Sequence, residues 1–99
     1  MARFDVHVNR GADGWLLDVQ ADLFGGLNTR LVVPLLPVGS APTSAERLNR
    51  VLDLPGERVS MLTQFMAAVP LAELGRPVTS LDHESDAIFA AIDCVHHGW

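Results

Sequence analysis

The chain contains no lysine and a single cysteine, only 6% of its residues are aromatic, and only 19% of its 99 residues are charged. The missing lysine matters first, because affinity for phosphate backbones comes mainly from clustered Lys and Arg. The basic residues, all arginine, are scattered from Arg3 to Arg76 without a run, and twelve acidic side chains against seven basic ones leave a net charge of −5. Direct nucleic-acid binding is therefore disfavoured. One cysteine, Cys94, allows no internal disulfide, so the fold must rest on packing, which suits a reducing cytosol. No window reaches the roughly 18 apolar residues of a membrane span. The stretch Met1-Ala2-Arg3-Phe4-Asp5-Val6-His7 interrupts its apolar residues with charge every second or third position, unlike the apolar region of a signal peptide. A soluble, cytoplasmic protein with no membrane attachment is expected. The chain also lacks a GxGxxG, a P-loop, a nucleophile elbow, an HExxH, internal repeats and low-complexity stretches, so neither a cofactor nor an enzymatic activity is expected from it.

What is present is apolar: 48% hydrophobic residues, far from the composition that keeps chains disordered. A chain of this length is expected to form one domain, residues 1–99. A domain this small buries only about 60–65% of its unfolded surface, which favours a homodimer that covers more.

Several segments carry strand patterns. Arg3 to Val8 alternates strictly, placing Phe4, Val6 and Val8 on one face and Arg3, Asp5 and His7 on the other. Asn9 to Gly14 supplies turn chemistry, and Trp15 to Gln20 resumes the pattern, so the two read as a hairpin. Arg30 to Leu36 is apolar and β-branched, with Pro34 predicting an edge position or a bulge because it cannot donate to a ladder. Pro37 to Ser44 reads as a surface loop. Glu46 to Leu54 fits both helix and strand, and pattern alone favours a short helix. Pro55-Gly56 is a turn, followed by a strand over Glu57 to Thr63 with Val59 and Met61 on one face. Phe65 to Leu74 reads as extended, with Pro70 at a bulge or edge. Ser80 to His97 is the clearest helix: Leu81, Ile88, Ala91, Ile92 and Val95 form an apolar stripe. Asp82, Glu84 and Asp86 complement its N-terminus and His96 and His97 its C-terminus, Ser80 or Asp82 is the N-cap, and Gly98 the C′ cap.

Candidate chemistry is thin. Asp93, Cys94, His96 and His97 are metal-ligand types, but their spacing fits no zinc pattern, and the reading preferred for the histidines is complementing a helix C-terminus. His7, His83, Asp18 and Arg30 supply the residue types of a ribonuclease, which most small domains also contain. Two apolar features stand apart from the strand and helix patterns. Leu23 and Phe24 sit beside Gly25-Gly26, either as a binding patch or tucked against the core. Trp99 either folds back on the last helical turn or anchors a partner, as Trp is enriched among interface hot spots.

Four collinear segments, Leu17-Asp18-Val19-Gln20-Ala21-Asp22, Arg30-Leu31-Val32-Val33-Pro34-Leu35, Met66-Ala67-Ala68-Val69-Pro70 and Ile88 to Gly98, make the chain resemble the CcdB-type toxins of bacterial toxin–antitoxin modules over essentially its whole length. The resemblance implies a mainly β fold, a small SH3-like, partly open antiparallel barrel with one C-terminal helix, acting as a homodimer. It also implies a strand within Glu46 to Leu54. Family members bind the A subunit of DNA gyrase and trap it on cleaved DNA, and an antitoxin neutralises them. The family's Trp-Gly-Ile triplet after the helix is matched here by His97, Gly98 and Trp99, with the glycine kept and the aromatic in last place. These three, with Leu23 and Phe24, are the implied gyrase contacts; Phe4, Leu23, Phe24 and Trp99 are the implied antitoxin contacts. Alternatives are an endoribonuclease toxin of the MazF and Kid type, and a homologue that binds antitoxin without killing.

Overall fold

A computed structural model describes residues 2–21, 28–40 and 49–97, with side chains described as far as Val95. Seven strands form one curled, open antiparallel sheet: β1 (Asp5–Asn9), β2 (Trp15–Asp18), β3 (Thr29–Pro37), β4 (Val51–Leu54), β5 (Glu57–Met61), β6 (Ala67–Pro70) and β7 (Leu74–Ser80). A C-terminal helix, α1 (Ser85–His97), follows a short 3₁₀ turn at Asp82–Glu84. The order across the sheet is β4-β5-β3-β2-β1-β7, with β6 paired to β3 off this path. This half-barrel with one terminal helix is the architecture the sequence implied.

The hairpin expected from Arg3 to Gln20 is present, with Val6 opposite Leu17 and Val8 opposite Trp15. Its turn depends on Gly14, which has φ +89° and where a Cβ would stand 2.2 Å from the Leu35 carbonyl oxygen, leaving no place for a side chain. The Pro55-Gly56 turn joins β4 and β5 as expected, with Gly56 at φ +78°. Of the ambiguous segment Glu46 to Leu54, residues 46–48 lie outside the described residues, and Val51–Leu54 is strand: Leu52 and Leu54 are buried and Val51 and Asp53 exposed, a period of two that no helix shows.

Pro34 lies in the middle of the sheet, not at its edge. Residues Thr29–Val32 of β3 pair with β6 and Leu35–Pro37 pair with β5 along the same side of the strand. Pro34 occupies the changeover, where its carbonyl accepts from the Leu62 amide at 2.9 Å and no neighbour needs the donor it lacks. The segment Gly75 to Ser80, which carried no strand pattern, completes β7 at the sheet edge. Its pairing with β1 is irregular, with register shifts on both sides of the His7–Pro77 pair.

Phe4, Val6, Leu17, Val19, Val33, Leu35, Leu52, Leu54, Val59, Met61, Leu81, Ile88 and Ala91 form the main core between the sheet and α1. Ile92 packs partly against it, but Val95 is exposed, so the apolar stripe of α1 stops one turn short of expectation. Neither Ser80 nor Asp82 caps α1. The Ser80 hydroxyl instead accepts from the Asp82 amide at 3.2 Å, turning the chain out of β7 before the helix begins at Ser85. A second, smaller cluster of Leu16, Val32 and Leu74 lies on the opposite sheet face. That face also covers His7, which the alternation of β1 had placed outward with Arg3 and Asp5.

Candidate functional site

Apart from Phe4, which precedes β1, the residues that the resemblance implicates belong to two chain segments, the connection from β2 to β3 and the C-terminal end of the chain from His97 on. Leu23, Phe24, Gly98 and Trp99 lie outside the described residues, and His97 is the last residue of α1. What the structure defines is the framework that carries them.

Both stems of the β2–β3 connection are tied by a buried polar network. Arg30 Nε donates to Asp18 Oδ2 at 2.8 Å, and its Nη2 donates to the same oxygen. The other carboxylate oxygen of Asp18 accepts from the Gln20 amide at 3.0 Å, and Gln20 Oε1 accepts from the Leu31 amide at 3.1 Å. Arg30 and Asp18 are 1% and 0% exposed, so two opposite charges are held together out of water. This excludes the use of Asp18 and Arg30 on a bound phosphate, since reaching one would break the pair. His7 is buried as well and His83 is exposed, so the four ribonuclease-type residues do not share one solvent-facing site.

Phe4 links the β2 stem to the helix. It has φ +72°, unusual for a residue with a side chain, and is held there by its amide donating to the Asp18 carbonyl at 2.6 Å and its carbonyl accepting from Leu81 at 2.8 Å. Its ring is 4% exposed and meets Phe89 of α1 edge-to-face, with centroids 5.4 Å apart. The Arg3 guanidinium lies 5.8 Å from the Phe4 centroid and 5.6 Å from that of Phe89. The surface over Phe4 is therefore made by Arg3 and by Phe89, which is 42% exposed. The resemblance implied Phe4 itself at a contact surface, and the periodicity of the helix passed over Phe89, which falls outside the stripe of Leu81, Ile88, Ala91, Ile92 and Val95. No local signal marked it, because a single exposed aromatic on a helix is ordinary, and only the tertiary contact with Phe4 sets Phe89 apart.

Cys94 is partly buried and unpaired. Among the described residues no three His, Cys, Asp or Glu side chains gather as a metal site, and no helix is long and apolar enough to cross a membrane.

In a comparison with known protein families, a family model described as CcdB protein matches residues 3–98. The match spans the hairpin, the Asp18–Arg30 network and the whole of α1.

Proposed function

From the premise that the chain belongs to the CcdB family, and is a toxin of the CcdB type from a toxin–antitoxin module, we propose that it binds the A subunit of DNA gyrase, traps the gyrase–DNA cleavage complex and is neutralised by a cognate antitoxin. It acts by contact and performs no chemistry of its own, in the cytoplasm and as a homodimer. The observation that carries this reading is the near full-length family match, which runs through the end of α1 to residue 98. His97, Gly98 and Trp99, with Leu23 and Phe24, are the proposed gyrase contacts. Phe4, Leu23, Phe24 and Trp99 are the proposed antitoxin contacts, with Phe4 acting through the Arg3–Phe89 surface above it.

Induced expression in a gyrase-sensitive host tests the function directly. Extracted DNA is expected to carry protein-linked double-strand breaks, and their disappearance on co-expression of the antitoxin completes the assignment. Growth arrest with intact DNA and cleaved messenger RNA points to the ribonuclease class, and no arrest at all to a homologue that only binds antitoxin.

The dimer is tested separately. Phe65, Phe89 and Val95 leave large apolar side chains 57%, 42% and 41% exposed on one small acidic chain. Two-fold dimers are the commonest way to cover such surface. Light scattering at micromolar concentration is expected to give twice the chain mass of 10.7 kDa, and a monomer overturns the dimer proposal.

A further inference from the structure

The pairing of β2 with β3 is ended by a side chain. The register sets Leu17 opposite Val33 and Asp18 opposite Val32, so Val19 faces Leu31. In an antiparallel ladder a bonded pair of this kind exchanges two backbone hydrogen bonds. Here the Val19 amide donates to the Leu31 carbonyl at 3.0 Å, but the Leu31 amide donates to Gln20 Oε1 at 3.1 Å, so the side chain stands where the Val19 carbonyl would have accepted. The Gln20 amide is drawn back to its own strand, donating to Asp18 Oδ1 at 3.0 Å. The result is a closed circuit across the two stems. Arg30 reaches from β3 to Asp18, Asp18 holds Gln20, and Gln20 returns to Leu31, the neighbour of Arg30.

The members of this circuit differ in what they hold. Asp18 and Arg30 are a buried charge pair, and removing either one leaves a charge without its partner. Gln20 is only 8% exposed but neutral, so removing its side chain strands no charge. Its effect is local. In a plain hairpin the backbone ladder and the turn fix how the chain leaves one strand and enters the next. Here the acceptor on Gln20 does so, at the point where the ladder gives out. Leu23 and Phe24 follow Gln20 in sequence by three and four residues. Stems that sample more than one geometry lower the fraction of molecules ready to bind, and apparent affinity falls by that fraction.

We propose that Gln20 is a positioning residue for partner binding: through its bond to the Leu31 amide it holds the two stems in the geometry from which Leu23 and Phe24 are presented to gyrase and antitoxin. This rests on the contacts proposed above and adds to them a buried residue that acts through the backbone.

The experiment compares the full chain with Gln20→Met, which keeps the volume and loses the acceptor, and Gln20→Glu, which keeps an acceptor. Two quantities are read where circular dichroism shows every chain folded: hydrogen exchange of the Leu31 amide, and affinity for the purified gyrase A subunit. Gln20→Met is expected to speed Leu31 exchange and to weaken gyrase binding, each at least ~10-fold, while Gln20→Glu stays within ~3-fold of wild type in both. Gln20→Ser, too short to reach Leu31, takes the place of Gln20→Met if that chain does not fold. Faster Leu31 exchange with wild-type gyrase affinity makes the bond purely structural and overturns the role. So does a Gln20→Glu chain that protects Leu31 but binds no better than Gln20→Met, and so does unchanged Leu31 exchange in Gln20→Met. Failure of the wild type itself to bind gyrase is a different result, which overturns the gyrase reading and this role with it.

Discussion

Trp99→Ala is expected to weaken gyrase binding at least ~30-fold, the equivalent of ~2 kcal/mol at ~1.4 kcal/mol per tenfold, while leaving the unfolding transition in place. The argument is one of area and position. An indole buries roughly 200 Å² on full contact, and truncating an aromatic hot spot commonly costs ~2 kcal/mol or more. Trp99 lies two positions past the last residue of α1, whereas the core-forming residues of α1, Ile88 and Ala91, lie well before its end. His97→Ala should cost less, because an imidazole offers a smaller apolar face. The measurement is surface-immobilised binding of the purified gyrase A subunit to wild type and both variants, with thermal unfolding as the control. Loss of binding confined to His97→Ala overturns the assignment of Trp99 as the main anchor and gives the stacking role to the imidazole.

Arg30→Ala is expected to destabilise the fold by about 3–5 kcal/mol, the cost of leaving one charge of a buried pair without its partner. Against the 5–15 kcal/mol typical of a whole domain this is a large fraction. The residues involved explain the size: Asp18 is fully buried, and without Arg30 its Oδ2 loses both donors that reach it while Oδ1 keeps the Gln20 amide. The double variant Asp18→Leu with Arg30→Met should recover most of the loss, because an apolar pair of similar volume requires no desolvation of charge. Denaturant unfolding of all variants at one protein concentration reads both effects and keeps any dimer equilibrium fixed. A loss below about 1 kcal/mol for Arg30→Ala, the range of exposed pairs, contradicts burial of this pair. The Asp53–Arg58 pair across β4 and β5 serves as the internal standard, since its side chains are 77% and 73% exposed and its removal should cost little.

Local patterns carried much of the architecture. The alternation of Phe4, Val6 and Val8, the glycines around the first turn, Pro55-Gly56 and the stripe of Leu81, Ile88 and Ala91 each act over a few residues, so their geometry is written in short windows. The family resemblance added what periodicity left open, turning the segment before Leu54 from helix to strand. The site was legible to a lesser degree, because sequence order names Leu23, Phe24, His97, Gly98 and Trp99 but does not say which surfaces lie beside them.

The sequence by itself determined a mainly β chain with a terminal helix, an acidic surface without lysine, and membership in a toxin family through four collinear segments. Only the tertiary structure decided where Pro34 sits, because whether a missing donor matters depends on which strand lies opposite it. Likewise, β7 exists because β1 offers it an edge, not because its own residues alternate. His7, Asp18 and Arg30 look like surface residues in any local window; they are buried in a sheet whose pairing also gathers Leu16, Val32, Val69 and Leu74 from four different strands into one cluster. Burial of a charge or an imidazole is set by long-range closure, which no short stretch of sequence records.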